Sequence, residues 1–371
     1  MADLKVPRRT ALVLGGGGLK GFAHIGVIRA LEERGIRPHL LAGTSIGALI
    51  AAAYASGMSV TEMTERAVAL RRRDLFRLNH MGMLFERLRC PSLYLEEPLR
   101  EVVASVCPAG TFEDVAMPLI VNTVDVDRGT RVMWGLPGLR DVSVVDAVYA
   151  SCALPGFYPP GYVGGRACID GGTMDNLPTS IAALDADAVI AVDVGSFEVE
   201  RPRDITSQGF AAIYMRAATL MMHALQQRPL ADWSGPPMLL VRPTVGQYPW
   251  FSFGHAAKIV QAGYDAACSA FDQAGDTLLS ASGIYPRRAV SIEVDREKCI
   301  GCGMCVALAP RLMRLDRAGK AIVQSSPVPW SPADGDFVQQ CPTAAISVQS
   351  LDGSLRTTRP MSEPTLDAAD D

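Results

Sequence analysis

Residues 40–57 read LLAGTSIGALIAAAYASG, eighteen residues without a single charge. That length meets the requirement for a membrane helix, but Gly43, Thr44, Ser45 and Gly47 interrupt the run. A short buried strand (LLAG), a turn and an alanine-rich helix ended by Gly57 account for it better. Within the turn, GTSIG satisfies G-x-S-x-G between a strand and a helix, the context in which that pattern presents a nucleophile. Gly43 and Gly47 permit the sharp bend. Ser45 is then expected at the edge of a sheet and at a helix N-terminus, where the partial positive charge favours an anionic intermediate.

Working outward, TALVLGGGG reads as a buried strand and KGFAHIGVIRALEERGI as an amphipathic helix with Ile25, Ile28 and Leu31 on one stripe. PLIVNTVDVD and ADAVIAVDVGS are further apolar runs of buried-strand type, and helical stretches such as 205–228 and 255–283 lie between or after them. Strands alternating with helices predict an α/β layered domain with a largely parallel sheet over residues 8–285. IYPRRAV marks a boundary, after which residues 288–350 are cysteine-bearing and proline-rich. There RLMRLDRAGKAIVQ reads as two short strands around a glycine-containing turn. The tail, 351–371, is polar and acidic at its end and is expected to be disordered.

The chain has 371 residues, 49% hydrophobic and 20% charged, enough for buried cores in two or three domains. A net charge of −4 gives no electrostatic case for nucleic acid. Cys90, Cys107, Cys152, Cys168 and Cys268 are scattered, which suggests reduced thiols used as small core hydrophobes, not a disulfide framework. Near the N-terminus the apolar run Ala11–Leu14 is four residues long, far short of a signal segment. A cytoplasmic protein is expected, with any membrane contact peripheral.

GGGGLKG (Gly15–Gly21) follows the first strand and opens a helix. Read as Gly16-x-Gly18-x-x-Gly21 it also fits a dinucleotide fingerprint, but the second strand ends in Gly43-Thr44-Ser45, without the acidic residue that holds a ribose. It is not a P-loop either, because Lys20 precedes Gly21 and no Gly-Lys-Ser/Thr follows. What remains is a run of backbone N–H groups at a helix N-terminus, an anion nest, and beside a serine such a nest is an oxyanion hole. None of the five histidines, His24, His39, His80, His223 and His255, has a context that marks a triad member. Asp125 and Asp193 end apolar strands and read as turn or cap residues.

GGGGLKG, GTSIG and IDGG, in this order and spacing, resemble the patatin-like phospholipases, as do ASCALPGFYPP (150–160) and DGGTMDNLP (170–178). The resemblance covers roughly residues 8–285 and implies a three-layer α/β/α fold and a lipid or phospholipid substrate. It also implies a Ser–Asp dyad that works without histidine. Carried over by position, Ser45 is the nucleophile and Asp170 the base. Gly16, Gly17 and Gly18 form the oxyanion hole, supported by Lys20, Gly21, Gly43, Gly47, Gly171 and Gly172. Burial would raise Asp170 from its ordinary pKa of about 3.9 toward useful basicity. Two segments are candidates for lipid contact: the arginine-rich stretch 71–90 and the aromatic stretch YPWFSFG (248–254). The bland reading of each is local packing.

Cys299-x2-Cys302-x2-Cys305 places three thiols within seven residues. A bacterial ferredoxin run would continue to a cysteine before proline, but here Ala309-Pro310 stands in that place, so no second cluster is expected. Cys341, followed by Pro342, is the fourth ligand. Residues 290–348 thus resemble a single-cluster ferredoxin, a small α+β domain holding one [4Fe–4S] cluster. Structural zinc, which favours two separated Cys-x2-Cys pairs, is the poorer fit. No flavin or nicotinamide site is visible, so any electron would pass to and from a redox partner protein. The sequence leaves two readings. One is an acyl hydrolase with an iron–sulfur appendage of structural, redox-sensing or electron-transfer role. The other is an electron-transfer or scaffold protein on a hydrolase fold that no longer works. The complete serine, aspartate and glycine motifs favour the first.

Overall fold

Every residue of the central strands β1 (Thr10–Leu14), β2 (Leu40–Thr44) and β3 (Leu119–Asp125) is buried. The same holds for β7 (Ala188–Val192) and β8 (Met238–Val241). Strands buried on both faces read as continuous apolar runs, which is why these segments lack polar alternation. The computed structural model describes residues 4–80, 90, 92–195, 207, 209–280, 282–351 and 356–358. The chain divides into two compact units, Met1–Tyr285 and Pro286–Asp371.

In the first unit one sheet runs in the order β5–β6–β3–β2–β1–β7–β8–β9, with β4 paired to β3. Here β4 is Thr130–Trp134, β5 Gly161–Val163, β6 Arg166–Asp170 and β9 Ile284–Tyr285. The pairings from β3 through β2, β1, β7 and β8 to β9 are parallel, while β4, β5 and β6 pair antiparallel. The fold is therefore α/β with a mixed, mainly parallel sheet. Helices α1 (Ala23–Glu32), α2 (Ile46–Ala55), α3 (Val60–Ala69), α4 (Glu96–Val106) and α5 (Val144–Cys152) are joined by α6 (Gly209–Ala231) and α7 (Ala256–Ala274). Among the described residues no helix is long and apolar enough to cross a membrane.

The register along β3 positions the site. Thr44, the last residue of β2, lies opposite Asn122, and Asp170, the last residue of β6, lies opposite the next residue, Thr123. Because β4 occupies the other edge of β3 from Val121 to Asp125, β2 and β6 must share one edge. They run in opposite senses and end facing each other. Two segments distant in sequence thus deliver Ser45 and Asp170 to one place.

The second unit has an antiparallel sheet, β13–β10–β14–β15, and a hairpin, β11–β12. In it, β10 is Arg288–Val294, β11 Met313–Leu315, β12 Ala321–Val323, β13 Val328–Trp330, β14 Ile346–Ser350 and β15 Arg356–Thr358. The hairpin falls where RLMRLDRAGKAIVQ predicted it. The structure corrects the expectation for the tail at one point: Arg356–Thr358 pair with Ser347–Gln349. The two threonines favour extended backbone, and the open edge of β14 offers them a ladder. Residues 359–371 lie outside the described residues, as do 81–89 of the arginine-rich stretch.

Candidate active site

Ser45 adopts φ 54°, ψ −126° between β2 and α2, a left-handed backbone that non-glycine residues rarely hold and that is retained where the surroundings enforce it. The flanking glycines are required by contact. A Cβ on Gly43 would lie 2.6 Å from the backbone of Ala48, and one on Gly47 would lie 2.1 Å from the carbonyl of Leu14. The turn is also anchored from outside. Ser45 N–H donates to Ser151 Oγ (2.9 Å), which donates to the Asn122 carbonyl (2.7 Å). Asn122 Nδ2 in turn donates to Thr44 Oγ1 (3.1 Å) and to the Asp175 carbonyl (2.6 Å).

Asp170 is buried and accepts a hydrogen bond from Gly172 N–H at 2.8 Å. Burial raises its pKa to about 6, the neighbouring Ser45 hydroxyl and Gly172 N–H opposing the shift. Gly171 is excluded from carrying a side chain because a Cβ there would stand 2.4 Å from the Asn122 carbonyl. The other strand-ending aspartates serve the backbone, as expected of turn residues. Asp125 accepts from the N–H groups of Asp127 and Arg128 and pairs with Arg128 and Arg166. Asp193 accepts from Gly195 N–H and pairs with Arg242.

The glycine loop lies beside Ser45, but its N–H groups are not equivalent. Gly16 N–H donates to the Asn176 carbonyl (3.2 Å), while Asn176 Nδ2 donates back to the Gly16 carbonyl (3.1 Å). Gly16 is thus engaged in holding the loop, and the N–H groups of Gly17 and Gly18 are the ones turned to no described partner. Gly18, at φ 59°, lines one cavity with Ser45. Lys20 and Gly21 are buried in the helical turn Gly18–Phe22 that follows. His24 is fully buried with Nε2 2.8 Å from the Gly15 carbonyl, and desolvation lowers its pKa to about 4. It is a neutral brace for the loop. The other described histidine contacts lie elsewhere: His39 with Asp185, His223 with Gln227 and His255 with Ser252.

A cavity of about 340 Å³ opens at Ser45 and is walled by apolar side chains, among them Leu49, Ile50, Met63, Leu75 and Leu99. Its size falls within the range of small-molecule sites. The aromatic stretch 248–254 contributes Phe251 to this wall. Phe76 lies 4.7 Å from Tyr94 and 4.8 Å from Phe251, ring centre to centre. Phe76, from the described part of the arginine-rich stretch, and Phe251 thus belong to one ring cluster beside the cavity. Sequence reasoning missed Ser151, Asn176 and Cys152. Cys152 lines the cavity with Ser45, and burial together with the Asp170 charge pushes its thiol well above the ordinary range. All three lie within the quoted segments 150–160 and 170–178, yet nothing in their residue types singles them out.

In the second unit Cys299, Cys305 and Cys341 are buried and Cys302 is exposed, and all four line one pocket. Backbone N–H groups point at two of the sulfurs, Ala321 at Cys299 (3.4 Å) and Ala345 at Cys341 (3.3 Å). Burial raises the Cys305 thiol, and the charges of Cys299, Cys302 and Cys341 push the same way. Among the described residues no group of three or more His, Cys, Asp or Glu is gathered as a single metal ion requires.

Residues 12–183 match the family model for patatin-like phospholipases, and residues 292–348 match the model for a 4Fe-4S single cluster domain. An uncharacterized NTE family protein of Mycobacterium tuberculosis is 35% identical over 197 residues, covering 53% of this chain and 52% of that protein. Lysophospholipase nte1 of Aspergillus fumigatus is 31% identical over 279 residues, covering 69% of this chain and 18% of its own. The chain thus spans about half the length, or less, of these curated relatives. Among solved structures, VipD from Legionella pneumophila is similar at 17% identity and a TM-score of 0.43, over 72% of this chain and 67% of that one.

Proposed function

The chain carries a patatin-like phospholipase domain followed by a 4Fe-4S single cluster domain, and we propose that the first is a lipid ester hydrolase run by Ser45 and Asp170. One observation carries this reading. A serine held at φ 54° and a buried carboxylate stand at the facing ends of β2 and β6, with the serine at the mouth of an apolar cavity.

The chemistry follows from the geometry. Ser45 Oγ attacks the ester carbonyl carbon as its proton passes to Asp170, and the carbonyl electron pair moves onto oxygen. The N–H groups of Gly17 and Gly18 receive that oxyanion, with the N-terminus of α2 adding its partial charge. Collapse expels the alcohol oxygen, which takes the proton from Asp170 and leaves the acyl group on Ser45. A water then gives its proton to Asp170 and attacks the acyl carbon, and the fatty acid leaves as Ser45 is reprotonated. A pKa of about 6 keeps Asp170 ionised at neutral pH while making it a better base than an exposed carboxylate. The acyl chain occupies the apolar cavity.

In the second unit Cys299, Cys302, Cys305 and Cys341 would hold one [4Fe–4S] cluster, which would supply one-electron chemistry when bound. Cys299, Cys305 and Cys341 belong to the apolar core of this small unit, together with Val290, Phe337 and Val348. Ligation therefore supports the fold itself, and a structural role is the first consequence.

A fluorophosphonate probe tests the hydrolase reading. It is expected to label the wild-type protein and to spare Ser45→Ala. Equal labelling of the two would overturn it.

A further inference from the structure

The glycine loop is pinned one peptide at a time. Gly15 N–H donates to the Val192 carbonyl (3.0 Å) and Leu19 N–H to the Trp250 carbonyl (2.8 Å), which fixes the two ends. Between them the Gly15–Gly16 peptide is held at both poles, its carbonyl by His24 Nε2 (2.8 Å) and its N–H by the Asn176 carbonyl (3.2 Å). The Gly16–Gly17 peptide is gripped at its carbonyl, which accepts from Asn176 Nδ2 at 3.1 Å. In a planar trans peptide the C=O and N–H point in opposite directions. The amide that pins the Gly16 carbonyl therefore aims the Gly17 N–H away from itself. With no Cβ on either side, a Gly–Gly peptide can turn over at little steric cost, so its direction depends on what grips it.

Asn176 can act as the grip because it is itself held. It is buried, in the loop that follows Asp170. The Asp175 carbonyl just before it accepts from Asn122 Nδ2 (2.6 Å) and Thr44 Oγ1 (3.3 Å), and the Asp175 carboxylate pairs with Arg131 at 2.7 Å. The partners also settle which way the amide points: the Gly16 carbonyl can only accept, so the atom facing it is Nδ2. The same nitrogen lies 3.3 Å from Gln226 Oε1. Oδ1, by contrast, is buried with no partner among the described residues. A leucine would fill this space without leaving an acceptor unpaired, so the side chain is placed for its donor end. A Cβ on Gly16 would stand 2.5 Å from Asn176 Oδ1 and 3.3 Å from Ser45 Cβ. The amide and the nucleophile thus meet at one glycine.

We propose that Asn176 is a positioning residue for ester hydrolysis: its Nδ2 holds the Gly16–Gly17 peptide so that the Gly17 N–H faces the oxyanion formed at Ser45. This rests on the lipid ester hydrolase reading and adds a part to it. The loop that follows the base also sets the direction of the oxyanion hole, so one segment fixes both halves of the site.

The test compares the phenyl ester of a fatty acid with its thionoester, using the full chain. Sulfur is the weaker hydrogen-bond acceptor, so the thionoester gains less from oxyanion donors and loses less when one is turned away. Asn176→Asp keeps the shape of the side chain and replaces its donor. It is expected to lower kcat on the oxygen ester about 10²-fold, the scale for one lost oxyanion donor, with KM nearly unchanged. The rate ratio of oxygen ester to thionoester should fall by about tenfold or more. Any effect of the added charge on Asp170 falls on both esters alike, so the ratio is free of it. For the same reason Asp170→Asn should slow both and leave the ratio near that of wild type. Where Asn176→Asp fails to fold, Asn176→Leu, which buries no charge, serves instead, with melting read beside turnover. Wild-type kcat in the variant, or a fall shared equally by both esters, overturns the proposal, since the side chain would then only pack. Failures are separable. A wild type that cleaves neither ester, with Ser45 unlabelled by a fluorophosphonate, sinks the hydrolase reading and this proposal with it. A wild type that cleaves both through Ser45, beside a variant of unchanged ratio, sinks this proposal alone.

Discussion

Ser45 and Asp170 come from distant parts of the sequence, whereas Cys299, Cys302 and Cys305 fall within seven residues. The first pair meets only because β2 and β6 end facing each other along β3. The cysteines arrive together with almost no folding, and three of the four proposed ligands are part of their unit's core. In one unit a large core creates the chemistry, and in the other the chemistry helps to create the core. Substitutions at the first site are therefore expected to cost activity and spare the fold, and substitutions at the second to do the reverse.

The largest expected effect is that of Ser45→Ala. Ester turnover should fall by about 10⁴-fold or more, the scale on which serine hydrolases lose activity with their nucleophile. The melting temperature should hold or rise, because a strained elbow is relieved of nothing it needs for packing. A large loss of stability would break the contrast between the units.

Asp170→Asn comes next, with turnover down about 10²- to 10⁴-fold, the range for a lost general base. The pH dependence has a definite sign. Protonated Asp170 cannot accept the serine proton, so wild-type activity should rise with pH through about 6. Stability should move the other way. A folded pKa above the unfolded one means that the native state binds more protons between about pH 4 and 6, so stability falls as pH rises through that window. The difference amounts to about 3 kcal/mol once Asp170 is ionised. Asp170→Asn should flatten both profiles, read by turnover and by thermal melts from pH 4 to 8. A histidine substitution as damaging as Asp170→Asn would sink the dyad.

How much of this was legible in the sequence depended on whether the signal was local. The strand–turn–helix over 40–57 shows itself in its glycines, and the structure has Leu40–Thr44, Ser45 and Ile46–Ala55 in those places. The hairpin at 313–323 and the cysteine spacing are equally local. Asp170 carried no local mark apart from its paired glycines, and only the family resemblance distinguished it from Asp125 and Asp193. The use of Gly16 to hold the loop could not be read, because its partner is Asn176, 160 residues away. That α6 leaves Ile213, Leu220, Met221 and Leu225 exposed was hidden for a related reason. Periodicity shows that a helix has two faces, but only packing shows which one is turned to water.

Metal removal sharpens the contrast from the other side. Cys341→Ser, or prolonged chelation, should leave Pro286–Thr358 open to proteolysis and abolish the brown colour of the cluster. Cys302 is the exposed member of the proposed ligand set, so Cys302→Ser should cost iron with a milder loss of protection. In every case Ser45 should still take a fluorophosphonate label. Loss of labelling together with the cluster would show that the two units depend on each other.

The smallest expected effect probes whether the serine elbow sustains itself. Ser151 is fully buried and its hydroxyl does two things at once, accepting Ser45 N–H at 2.9 Å and donating to the Asn122 carbonyl at 2.7 Å. Ser151→Ala leaves that N–H buried without its partner, a cost of about 1–3 kcal/mol. The elbow can recover part of this only by relaxing away from φ 54°, which swings the Ser45 hydroxyl off Asp170. Turnover should therefore fall roughly tenfold, the equivalent of about 1.4 kcal/mol in the barrier. The loss should lie in kcat with KM nearly unchanged, since the cavity walls are untouched. If kcat is unaffected, the contacts forced by Gly43 and Gly47 hold the elbow alone, and the long-range brace from α5 is packing and nothing more.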